Sequence, residues 1–309
     1  MTNIVLRRMK PEEWKEVAAL VHDSTNAWYM RNRGFTIFNA GPESTLLFCR
    51  TYESLDPGWT VVAVDSATGR IAGSCFIHPR PTHISLGIMN VHPDYFGQQI
   101  SSKLLRYITD IADSEGKPVR LVSSAMNLGS FSLYHKAGFV PILFFQDMTM
   151  KVPENGISYT VPDRGIIRDA TQKDVPEIVA LEKELYHIER EKDFRYFIEN
   201  KDQIWRMNVL VNASGAIDGY LASVHDPASH MVGPGIARTE AQAAALICAE
   251  LNHHRGTQPV WLIPSRCQEL ARVMYEIGAK NCELHVAQVR GDWQPEKGVI
   301  LPSFMPETC

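Results

Sequence analysis

Residues 4–20 read IVLRRMKPEEWKEVAAL, and residues 165–181 read GIIRDATQKDVPEIVAL. With Arg7 set against Arg168, each stretch is an apolar strand, a short polar turn with acidic residues, and an amphipathic helix ending Ala-Leu. Glu12 and Glu13 in the first stretch, and Asp174 in the second, stand where acidic charge meets the positive end of a helix dipole. Self-similarity of this kind decides the architecture before any single motif does.

The match continues outward. WTVVAVDSATGRIAGSCFIH (59–78) reads as strand, turn, strand, with Asp65, Ser66, Thr68 and Gly69 in the turn. MNVLVNASGAIDGYLASV (207–224) repeats that plan, with Ser214-Gly215 in the turn and Gly219 answering Gly73. Each copy then has a strand and a long helix: SLGIMNV with SSKLLRYITDIAD, and HMVGPGI with TEAQAAALICAELNHH. Each closes on a strand, a short helix and a glycine: VRLVSSAMN with LYHKAGF, and PVWLIPS with VMYEIGA. Strands outnumber crossovers within each copy, which predicts an α/β fold, a mixed α+β sheet flanked by helices, present twice in tandem. The first domain is expected over residues 1–150 and the second over 165–291. Between them KVPENGISYTVPDR (151–164) reads as a linker, with ISYTV as a strand that one domain could lend to the other. Residues 292–309 read as an extended tail that lies on the protein body, because Val299, Ile300, Leu301, Phe304 and Met305 are too apolar for a free end.

The 309 residues suit two domains of ordinary size, and 45% hydrophobic against 21% charged residues allows a sizeable core. A formal net charge of −4 gives no general electrostatic case for nucleic acid or an anionic membrane as partner. The six cysteines, Cys49, Cys75, Cys248, Cys267, Cys282 and Cys309, form no CxxC pair and match no zinc spacing, so no metal is expected. The N-terminus lacks the apolar core of a signal peptide, and no apolar run approaches the ~20 residues that span a bilayer. The expectation is a cytoplasmic protein with reduced, mostly buried thiols.

The most informative segment is Asn90-Val91-His92-Pro93-Asp94-Tyr95-Phe96-Gly97-Gln98-Gln99-Ile100-Ser101-Ser102-Lys103-Leu104-Leu105. A strand ends at Val91, Pro93 stops the ladder, and a tight polar loop with Gly97 enters a helix. The N–H groups at such a helix start are unpaired and the dipole favours an anion there, so a diphosphate suits the geometry. Further on, Asn127 precedes Leu133-Tyr134-His135-Lys136-Ala137-Gly138-Phe139. Together these segments resemble the GNAT superfamily of acyl-CoA-dependent N-acyltransferases. The resemblance covers about residues 3–150, and more faintly 165–290.

That resemblance implies a role for each matched position. Backbone amides of Gln98, Gln99, Ile100, Ser101 and Ser102 would receive the cofactor diphosphate. Backbone at Met89, Asn90 and Val91 would pair with the pantetheine arm where two strands splay apart. Asn127 would bond the pantetheine or its neighbouring backbone. Tyr134 would act as general acid toward the departing thiolate, a task a phenol of pKa near 10 can perform. The co-substrate would be acetyl-CoA or another acyl-CoA, and the acceptor a small-molecule or peptide amine. A homodimer is compatible with the sequence. The alternative reading is a non-catalytic CoA- or ligand-binding or assembly protein on a degenerate version of the fold.

This chain departs from the family pattern in both copies. Phe96 stands at the first loop position, where the family has Arg or Gln, Gln99 at the central glycine, and Ser101 at the last small position. The second copy keeps Arg238-Thr239-Glu240-Ala241-Gln242-Ala243 but has Met274 at the place of Tyr134 and Cys267 at that of Asn127. Methionine cannot donate a proton, which favours the first copy as the catalytic one. No general base is evident; His92, His83, Asn90 and Ser85 lie nearby in sequence. Trp28–Phe35, with Arg31 and Arg33, lies where the family shapes its acceptor pocket. Glu182, Glu184, Glu189 and Glu191, mixed with Lys183, Arg190 and Lys192, read as solvated helix surface.

Overall fold

The computed structural model describes residues 3–304 and divides into two compact units. The first ends at Leu121 and includes Phe304; the second covers Val122–Ser303.

In the first unit the strands β1 (Ile4–Arg8), β2 (Val61–Asp65), β3 (Ile71–Pro79) and β4 (Ile84–Val91) pair antiparallel in that order. The strand β5 (Val119–Ser124) starts beside β4 in parallel and leads on into the second unit. The helices are α1 (Trp14–Arg33), α2 (Leu46–Leu55) and α3 (Ile100–Glu115). On one face of the sheet, Tyr52 of α2 packs against Phe76 and His78 of β3, and Ser24 of α1 accepts from the Asn90 amide. On the other face α3 crosses so closely that a Cβ on Gly73 would come within 2.9 Å of Ile100. The α3 residues Ile100, Leu104, Leu105, Ile108 and Ala112 recur at helical spacing and are all buried. Burying each of the larger side chains stabilises the fold by ~1.5–3 kcal/mol.

The second unit opens with α4 (Leu128–Lys136) and β6 (Val140–Thr149). It continues with β7 (Ile166–Asp169), α5 (Val175–Tyr186), α6 (Glu191–Glu199), β8 (Trp205–Val211), β9 (Ile217–Asp226) and β10 (Ser229–Ala237). The helix α7 (Glu240–Leu251), β11 (Val260–Pro264), α8 (Gln268–Glu276), β12 (Lys280–Arg290) and β13 (Val299–Leu301) complete it. Its strand order runs β12, β6, β11, β10, β9, β8, β7, with β13 on β10.

Local contacts repeat as the sequences do. Arg7 bridges Glu13 at 2.8 Å, and Arg168 bridges Asp174 at 2.8 Å. Glu16 accepts from the Ile71 amide and Glu177 from the Ile217 amide. A Cβ on Gly219 would meet Leu246 of α7 at 2.8 Å, as one on Gly73 would meet α3. The tandem mixed sheets flanked by helices are therefore present as expected.

The compact units do not follow the linker. They part between Leu121 and Val122, whereas composition placed the first domain over 1–150 and the break at 151–164. The reason is β6, which closes the first copy in sequence yet lies between β12 and β11, antiparallel to both. Met148 is paired with Trp261 on one side and Asn281 on the other. Residues 157–161, read as a strand that could be lent, form none; the Asn252 amide instead clamps both backbone groups of Ile157.

The tail does lie on the body: Val299, Ile300 and Leu301 are buried as β13. Met305 and Cys309 lie outside the described residues. Cys49, Cys75, Cys248 and Cys267 are buried free thiols and Cys282 is an exposed one. Among the described residues no helix is long and apolar enough to cross a membrane.

Glu182 and Arg190 correct the expectation of a solvated helix face. Both are buried, and Arg190 donates to Glu182 and to the Tyr220 hydroxyl, 3.0 Å away, which itself donates to Glu182 at 2.5 Å. Glu184 is paired with Arg238. Charge alternation along a sequence does not reveal which charged face turns inward, because that depends on partners distant in the chain.

Candidate active site

In the first unit, β4 keeps β3 as neighbour along its length, as far as Val91 against Gly73. Its parallel pairing with β5 is confined to Ile84–Val119 and Ser85–Arg120. Residues Ile84–Gly87 are buried and Ile88–Val91 half-buried. Among the described residues, the backbone of Met89–Val91 thus has a sheet neighbour on one side only.

The loop that follows is held from below. His92 accepts from the Asp94 amide at its Nδ1, and its Nε2 lies 2.8 Å from the Arg70 guanidinium. Both ring nitrogens face groups of the turn, and a neutral imidazole accepts at only one of them, so His92 has no lone pair left over as a free base. The buried Tyr95 hydroxyl donates to Asp65 at 3.0 Å. Asp65 is held below the usual carboxylate range, first by the Ala67 amide and then by Tyr95 and Thr68. Gly97 and Gln99 both take left-handed backbone, at φ 79° and 59°. Gln99 is the cap residue of α3 and makes no side-chain cap hydrogen bond.

The first-turn amides of α3, at Ile100, Ser101 and Ser102, therefore meet no capping side chain and, by helix geometry, no preceding carbonyl. The Gln98 amide differs, since it makes a 3.4 Å bond to the Tyr95 carbonyl. The family's central glycine falls where Gln99 carries positive φ, a conformation costing a side-chain residue ~1–2 kcal/mol. Gln99→Gly should raise stability by about 0.5–1 kcal/mol after the entropy glycine adds to the unfolded chain. A thermal melt checks this, and a lower Tm would show that the glutamine side chain holds the loop.

Asn127 and Tyr134 belong to the second compact unit. Asn127 caps α4 and its Oδ1 accepts from the Ser130 amide at 3.1 Å, so its side-chain NH2 is the group left to meet a ligand. Tyr134 is buried against Phe139. His83 is fully buried, 3.1 Å from the Ser85 hydroxyl. Arg31 is exposed on α1, and the Arg33 guanidinium lies over Phe35.

The second copy has the same frame, filled in. β10 pairs with β11 at Met231–Val260 and Val232–Trp261. Counting on from Val232 as from Ser85, Gly235–Ala237 answer Ile88–Asn90. Here β13 occupies that edge, Leu301, Ile300 and Val299 pairing with Gly235, Ile236 and Ala237. The α7 start is closed by its own side chains: Thr239 accepts from the Gln242 amide, and Gln242 accepts from the Thr239 amide. Arg238, at the family's first loop position, is spent on Glu184 at 2.6 Å and Asp218 at 3.0 Å. Met274, at the place of Tyr134, is fully buried; neighbouring Tyr275 is exposed and donates to Gln146. Burial pushes the Cys267 thiol up to about 11. The capping box has a local signal that sequence reasoning missed, Thr-x-x-Gln before an apolar run. The β13 plug had no local signal beyond the apolar character of the tail.

Comparison with known families agrees with this frame in both halves. Residues 23–139 match "Acetyltransferase (GNAT) family", and residues 178–297 match "Acetyltransferase (GNAT) domain". The chain belongs to the GNAT acetyltransferase family. The two GNAT matches account for its tandem organisation. A candidate acetyltransferase from Pyrococcus horikoshii superposes with a TM-score of 0.74 at 14% identity, over 99% of this chain and 96% of that one. A GCN5-related N-acetyltransferase from Sphaerobacter thermophilus gives 0.65 at 17% identity, over 94% and 96%. A tandem GNAT protein from the clavulanic acid biosynthesis pathway gives 0.59 at 13%, over 93% and 98%. These likenesses concern the fold. No curated protein matches the sequence. GNAT proteins generally use acetyl-CoA as acyl donor.

Proposed function

We propose that this chain transfers an acyl group from acetyl-CoA, or a related acyl-CoA, to an amine, with the first copy as the working half and the second as its scaffold. One contrast carries the reading. Among the described residues, the α3 start of the first copy has no side-chain cap and the β4 edge no partner along Met89–Val91, while the second copy fills both features with its own chain. The groups left open are those an extended, diphosphate-bearing substrate needs: anion-binding amides and a strand edge for its amide-containing arm.

Chemically, the neutral amine attacks the thioester carbonyl, a C–N bond forms and the C–S bond breaks. Tyr134 gives its phenolic proton to the leaving sulfur and recovers one from solvent, while the amine's surplus proton leaves to water. Holding both reactants together supplies much of the rate. Backbone amides at Ile100–Ser102 would hold the diphosphate, and Asn127 the arm.

Calorimetric titration with acetyl-CoA and CoA tests the proposal. Saturable binding is expected, weakened about tenfold or more by Ser101→Asp, which sets a negative charge at the α3 start. No heat and no thermal shift at millimolar cofactor would sink the acyltransferase reading and favour a non-catalytic module.

A further inference from the structure

His225 stands on β9 and His230 on β10, directly opposite each other across the antiparallel pair. His254, in the turn after α7, brings a third ring beside them. The His225 and His230 ring centroids are 4.7 Å apart, those of His225 and His254 5.2 Å, and those of His230 and His254 6.4 Å. One nitrogen from each ring lies within 4.8 Å of the other two. His254 is buried, His230 half-buried and His225 exposed, so the cluster has a closed floor and an open entrance.

One fact sets this cluster apart from ordinary aromatic packing. The Nδ1 atoms of His230 and His254 are buried and have no hydrogen-bond partner. Leaving such an atom unsatisfied costs ~1–3 kcal/mol, so two in one cluster call for a partner that protein atoms do not supply.

We propose that His225, His230 and His254 form a binding site for a divalent transition-metal ion, with Zn2+ the ion their chemistry fits. Three imidazoles and an open fourth position are an established zinc ligand set. Ligands at ~2.0–2.1 Å from zinc in a tetrahedron are about 3.3 Å apart. The triangle must therefore close by modest rotations, which the exposed His225 and half-buried His230 can make. Cysteine spacing could not disclose this site, because its ligands are imidazoles from three segments joined only by the fold. The site lies wholly in the second unit and does not depend on acyl transfer.

The test uses untagged full-length protein, freed of metal by chelator and titrated with Co2+ and then Zn2+. One equivalent per chain is expected, with the visible bands of tetrahedral cobalt and a rise in Tm that chelator reverses. His225→Gln, at an exposed position where folding is not at stake, should weaken binding at least tenfold, the order seen on disturbing a metal site's supporting shell. His225→Gln combined with His230→Gln should abolish the cobalt bands while circular dichroism stays native. Absence of stoichiometric uptake by the wild type overturns the proposal, as does uptake that the double variant retains.

Discussion

Replacing Tyr134 by phenylalanine should lower turnover about 100-fold while leaving acetyl-CoA affinity close to that of the wild type. A positioned proton donor contributes ~10²–10⁴-fold, and the substitution removes only the donor. The ring stays, so its packing against Phe139 is kept. Turnover is measured as CoA release with whichever amine first exceeds the background rate, and affinity by calorimetry. Tyr275→Phe is the matched control: it lies at the neighbouring position of the second copy's helix, where the hydroxyl is exposed and bonded to Gln146. The control should leave the rate unchanged. Unchanged turnover in Tyr134→Phe would remove that residue from the reaction. A rate loss matched by weaker cofactor binding would make Tyr134 a binding group instead.

The largest stability effect is expected at Arg190. Its guanidinium is the cationic partner of Glu182 in a buried cluster that ties α5 and the start of α6 to Tyr220 of β9. Arg190→Ala leaves a buried carboxylate without its countercharge, which costs ~3–5 kcal/mol and lowers Tm on the order of 10 °C. Removing the charge on every side, with Arg190→Met, Glu182→Leu and Asp193→Asn together, should recover much of that loss, since Asp193 is a second buried carboxylate facing Arg190 and a buried ion cluster often does little better than apolar groups of similar volume. Thermal melts of the wild type, single and triple variants decide this. Equal losses in the single and triple variants would show that arginine packing, and not the stranded carboxylates, sets the cost.

The amino-acid sequence carried much of this molecule because its repeats are local. Arg7 with Glu13 and Arg168 with Asp174 lie within one strand-turn-helix, so a pattern could expose them. Gly73 and Gly219 stood out as equivalent, and each marks a place where a helix crosses the sheet too closely for a side chain. What escaped reading depends on segments far apart in the chain. Nothing in VPILFFQDMT says that it pairs with both β11 and β12. Glu182 reads as solvated because Tyr220, its buried partner, lies 38 residues on, in strand β9. The three histidines meet through a hairpin and a helix end that sequence spacing does not bring together. For the candidate active site, the loop and LYHKAGF were legible, while the difference in occupancy between the copies was not. At the strand edge that difference rests on β13, a three-residue strand with no motif of its own; at the helix start it rests on the Thr239–Gln242 cap, whose signature is local.

The place of β6 has a consequence for the history and handling of this chain. A gene duplication ordinarily leaves two separable modules, either of which can later be lost or recombined. Here, cutting at residues 151–164 would carry β6 away from β11 and β12, leaving both with a row of unpaired N–H and C=O groups along the vacated slot. Such bare edges recruit other chains and aggregate. The two copies are thereby locked together: the second has Met274 at the place of Tyr134 and its own β13 along the β10 edge, yet it cannot be cut away from β6. Expression fragments and fusion boundaries drawn at the linker would cut through a sheet.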